Sequence, residues 1–95
     1  MIDEVKILRR MERLPDKDVY SGAFLYRGCT VKVEVSGHSL KELKRDCGCD
    51  ADRVAEEAVR WVGVGAGETS KTLQLPQDLG SQRHQFVKHV KGVKS

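Results

Sequence analysis

From Thr30 to Ser36 the side chains alternate, with Val31, Val33 and Val35 on one side and Thr30, Lys32, Glu34 and Ser36 on the other. A period of two is the mark of a strand with one buried face. A chain that commits a valine face to a core must supply something to cover it, and the residues that follow do so. Ser36-Gly37-His38 breaks the alternation, and Ser39 with Glu42 three residues on fits a capping box, which predicts a helix starting at Leu40. Leu40, Leu43 and Cys47 share one side of that helix, Lys41, Glu42, Lys44, Arg45 and Asp46 face away, and Gly48 stands where a left-handed C-cap residue belongs. Asp50 is the expected N-cap of a second helix, and Asp52 adds negative charge to its first turn, where the backbone dipole is positive. Val54, Ala58, Trp61 and Val62 follow at helical spacing, with Ala55 and Val59 widening the stripe and Trp61 read as a core residue.

Upstream, Val19 to Tyr26 reads as a partner strand, joined to the valine strand by Arg27-Gly28 as a two-residue turn. Such a turn sets Tyr26 opposite Cys29, Phe24 opposite Val31, Gly22 opposite Val33 and Tyr20 opposite Val35, gathering the larger apolar groups on one face. Ile2 to Leu14 is rich in helix formers and is expected to be a helix. Its apolar residues nevertheless scatter around a helical wheel, and the turn residues Leu14-Pro15-Asp16-Lys17-Asp18 make a strand the rival reading. Downstream, residues 63–71 are a glycine-rich loop or linker by composition, Thr72 to Leu75 forms a short edge strand ended by Pro76, and Ser81 caps a last helix with Phe86, Val90 and Val93 as its apolar side. The fold class is therefore α+β: a small antiparallel sheet built on a hairpin at about 19–36, packed with two or three helices at about 40–47, 51–62 and 81–91. Residues 1–62 form the compact part, and 72–95 are expected to complete the same domain.

Composition excludes several classes. Ninety-five residues, 39% hydrophobic and 33% charged, suit one small folded domain. No apolar run is long enough to span a bilayer, and the start, MIDEVKILRR, opens on the acids Asp3 and Glu4 and is amphipathic rather than a signal peptide, so a cytoplasmic location without membrane contact is expected. Three cysteines, Cys29, Cys47 and Cys49, are an odd number and read as reduced thiols.

Catalytic and metal motifs fail on context. Gly65 to Thr72 comes close to a phosphate-binding loop, with Ser70 in place of the second glycine, but a helix precedes it and Pro76 forbids one soon after. Cys47-Gly48-Cys49, with Cys29 and His38 at a distance, offers soft donors, yet zinc sites separate paired cysteines by two or more residues, so no metal or cofactor is expected. Asp46, Asp50 and Asp52 lack the pattern of a calcium hand, and His38, His84 and His89 have no paired acid or nucleophile in a recognisable order. Leu43, Gly48, Cys49 and Val54 sit about where a helix-turn-helix places its apolar and turn residues, but Asp50, Asp52, Glu56 and Glu57 outnumber Arg53 and Arg60 on the would-be recognition helix.

Charge supplies the remaining signal. All fourteen acids lie at or before Asp78, whereas Arg83, Lys88, Lys91 and Lys94 follow with no acid from Leu79 to Ser95. Those four residues are the candidate partner-binding set of a non-catalytic binding or regulatory module. The leading partner is an acidic protein, for which Phe86, Val87 and Val90 would add apolar burial, and the alternative is nucleic acid.

Overall fold

A computed structural model describes residues 4–92. The elements run β1 (Val5–Arg13), β2 (Val19–Tyr26), β3 (Cys29–Ser36), α1 (Gly37–Cys47), α2 (Ala51–Val62) and β4 (Ser70–Leu75), then a 3-10 segment (Gln77–Gln82) and α3 (Arg83–Gly92). The four strands form one sheet in the order β1-β2-β3-β4, and the three helices pack with it in an α+β arrangement.

The β2–β3 hairpin has the register that alternation demands. Tyr26 faces Cys29, Phe24 faces Val31, Gly22 faces Val33 and Tyr20 faces Val35. Arg27 and Gly28 both have positive φ, 50° and 77°, as a primed two-residue turn requires. Val31, Val33 and Val35 are buried, and Leu40 and Leu43 of α1, Val54 and Val59 of α2 and Phe86 and Val90 of α3 belong to the same core cluster. Phe86 is 0% exposed, and burying such a side chain stabilises the fold by about 1.5–3 kcal/mol.

Helix α2 occupies the expected residues, with the Asp50 carboxylate accepting a hydrogen bond from the Arg53 N–H at 2.8 Å. Helix α1 begins earlier than expected. The valine strand passes into it without a linker, so Ser36 is the cap and its hydroxyl accepts from the Ser39 N–H at 3.2 Å. Gly48 ends α1 in the left-handed region, φ 68°, and donates its N–H to the Lys44 carbonyl. The last helix starts at Arg83, two residues past Ser81, because a 3-10 segment fills residues 77–82. Val93 and Lys94 lie outside the described residues.

One expectation is refined and one is corrected. The sheet is mostly antiparallel, as expected, but β4 pairs with β3 in parallel, Val33 beside Leu73 and Val35 beside Leu75. The α1–α2 pair between them is the crossover that a parallel neighbour needs. The segment from Ile2 to Leu14 is not a helix where it is described: Val5–Arg13 is an edge strand antiparallel to β2. Its apolar residues fit no single period because the register shifts between Ile7 and Arg9 and again between Arg9 and Glu12.

Side chains take up the groups that these irregularities release from the ladder. Arg9 Nη1 donates to the Ser21 carbonyl at 3.1 Å, and the Met11 N–H donates to Asp52 Oδ1 at 2.9 Å. Gly22 is required opposite this bend, since a Cβ there would lie 2.7 Å from Met11 Sδ and 3.0 Å from the Arg9 carbonyl oxygen.

Candidate functional site

Helices α1 and α3 lie side by side, and the spacing of Arg83, His84, Val87 and Lys91 puts these four on one flank of α3. Arg45 and Asp46 come from the facing side of α1, and together the six line an open groove of about 590 Å³. Arg45 and Lys44 stand in the last turn of α1, where the backbone dipole is negative and favours cations.

The groove is cationic but internally compensated. Arg83 Nη2 lies 3.4 Å from Glu42 Oε1 and 4.0 Å from Asp46 Oδ2, and Arg45 Nε lies 3.1 Å from Asp46 Oδ1. His38 Nε2 reaches Glu42 Oε2 at 3.5 Å. The Arg83 and Arg45 side chains are 37% and 71% exposed, and ion pairs in such settings hold their partners by only about 0–1 kcal/mol. They can be exchanged for an outside carboxylate at small cost. Lys91 and His84 are exposed and have no ion-pair partner among the described residues. Beneath this wall Lys91 also acts on the Cys47 thiol, lowering its pKa slightly. Burial, and after it the neighbouring Cys49, outweigh that effect and push the thiol up to about 11.

Of the four residues expected from the sequence, the structure brings Arg83 and Lys91 together in the groove. Lys88 is exposed and lies on the side of α3 opposite Phe86 and Val90, beside the groove rather than in it. Lys94 lies outside the described residues. Phe86 and Val90 are each 0% exposed, so they belong to the core and cannot meet a partner, and Val87 alone of the three supplies apolar surface. Arg45, Asp46 and His84 were missed. The spacing of His84 and Val87 from Arg83 could have placed both on its flank, whereas Arg45 is joined to them only by helix packing.

The other constellations serve the fold. Lys71 donates to the Gly63 carbonyl at 3.1 Å, Glu68 accepts from the Gly65 N–H, and β4 follows the loop, so no helix N-terminus faces it. Cys29 and Cys47 are buried and Cys49 partly so, and among the described residues no group of three His, Cys, Asp or Glu side chains is placed to hold a metal ion. Glu57, only 4% exposed, gathers Arg60 at 2.7 Å, Arg53 at 3.4 Å and His89 at 3.4 Å. His89 also lies 5.3 Å from the Trp61 ring, which meets Phe86 edge-on at 6.0 Å. This cluster joins α2 to α3 and includes no nucleophile. No described helix is long and apolar enough to cross a membrane. Comparison with protein families, characterised proteins and solved structures gives no match for this chain.

Proposed function

We propose that the chain is a non-catalytic binding module whose α1–α3 groove receives an acidic segment of a protein partner. One observation carries the reading: Arg45, Arg83, His84 and Lys91 converge from two helices around Val87. A carboxylate entering the groove replaces Glu42 or Asp46 on Arg83, and an apolar side chain beside it covers Val87. Glu42 and Asp46 themselves favour this over a polyphosphate backbone, whose closely spaced charges would meet both carboxylates along with the cations.

The test is a titration of isotopically labelled protein, followed by NMR, with a synthetic acidic peptide carrying interspersed leucines and, separately, with duplex DNA. The peptide is expected to shift the amides of Arg45, Arg83, Val87 and Lys91, and the double substitution Arg83→Ser, Lys91→Ser to weaken it about tenfold. Equal binding by the substituted protein, or tighter binding of DNA with a steep loss in salt, would refute the assignment.

A further inference from the structure

The sheet ends at β1 on one side and β4 on the other, and an open edge offers unpaired main-chain groups to any extended segment. The two edges differ. On β4 the exposed side chains are Ser70, Thr72 and Gln74, Pro76 follows directly, and the Gln74 N–H is already taken by the Asp78 carboxylate at 2.7 Å. On β1 the Met11 N–H is likewise taken, by Asp52. The Val5–Arg9 stretch is left without such a plug among the described residues. It holds Ile7 and Leu8, which are 43% and 54% exposed and are the exposed large hydrophobic residues of the described chain.

Charge selects what can lie there. Strand β1 carries Lys6, Arg9, Arg10 and Arg13 against Glu12 alone, so a second copy of β1 laid against it would set like charges together. The same cations attract an acidic strand. The two sides of the edge differ further. Ile7, paired with Phe24, lines with Cys49 a cleft of about 700 Å³ that also holds Arg10 and Arg53 among Asp50, Asp52 and Glu56. Lys6, paired with Leu25, points to the opposite side of the sheet, and Arg9 lies there against Ser21. A strand added beside β1 therefore meets Ile7 and a cleft of mixed charge on one side and the cations Lys6 and Arg9 on the other.

We propose that the β1 edge takes, as a fifth strand, an extended segment of a protein partner in which acidic and apolar residues alternate. Its acids lie beside Lys6 and Arg9 and its apolar side chains beside Ile7. Main-chain hydrogen bonds supply the affinity and the alternation supplies the register. This surface is separate from the α1–α3 groove.

The test uses the full chain and a short synthetic peptide of alternating glutamate and valine, read by NMR shifts and amide exchange. The expected result is slowed exchange and shifted amides over Lys6 to Arg9. Lys6→Glu, at an exposed position that leaves the core untouched, is expected to weaken the peptide about tenfold. Ile7→Ser should weaken it as well. The proposal is overturned if the shifts fall instead on Arg83, Val87 and Lys91, or if a lysine–valine peptide protects the same amides. Protection of those amides in the protein alone, with a dimeric mass, would also overturn it.

Discussion

Removing the Asp52 carboxylate should destabilise the domain far more than its place in the first turn of a helix suggests. Its side chain is 13% exposed, and it accepts from Arg10 Nε at 2.8 Å and from the Met11 N–H at 2.9 Å, across forty-one and more residues of chain. The Met11 bond satisfies an N–H in the irregular part of β1, and a hydrogen bond from a backbone N–H to a charged group is worth about 1.5–3 kcal/mol. The favourable position on the α2 dipole adds about 0.3–1 kcal/mol. Asp52→Ala is therefore expected to cost about 2–4 kcal/mol, and each kcal/mol moves the melting temperature of a domain this size by about 4–8 °C. Asp52→Asn, which keeps an acceptor but not the charge, should fall between. Arg10→Ala should change little, because that side chain is 77% exposed. Urea denaturation gives the free energies and amide exchange at Met11 reports the bond itself. If Asp52→Ala stays within about 0.5 kcal/mol of the parent, as an ordinary surface change would, or if Met11 exchange is unaltered, the account of how β1 is held is wrong.

Two further predictions concern buried groups. Glu57→Ala should lower stability by about 1–3 kcal/mol in urea melts, less than for a fully buried pair because Arg53 and Arg60 keep 39% and 29% of their side-chain surface exposed. The Cys47 thiol, pushed by burial from an ordinary 9.0 up to about 11, should resist iodoacetamide at mildly alkaline pH while Cys49 is alkylated, as peptide mass mapping would show. Because the folded state holds that proton more tightly than the unfolded chain, the associated stability is full below pH about 9 and is lost as the pH rises through about 11. Cys47→Ala should remove that slope.

Much of the fold was legible in the chain because its signals are local. The valine alternation, the Arg27-Gly28 turn and the Asp50 cap each act within a few residues, so the hairpin register and helix α2 follow from sequence alone. The basic bias after Leu79 was equally visible, and it located two groove residues, Arg83 and Lys91. What the tertiary structure decided depends on partners distant in sequence. Val5–Arg13 is a strand because β2 offers it an edge and because Gly22, Arg9 and Asp52 accommodate its irregularities, which also erase the periodicity that would have revealed it. β4 runs parallel to β3 because the helix pair carries the chain back across the sheet. Arg45 joins Arg83 and Lys91, and Phe86 is withdrawn from any partner, only because α3 packs on α1 and α2. Side-chain contacts across forty residues leave no spacing to read, and only the packed chain brings them together.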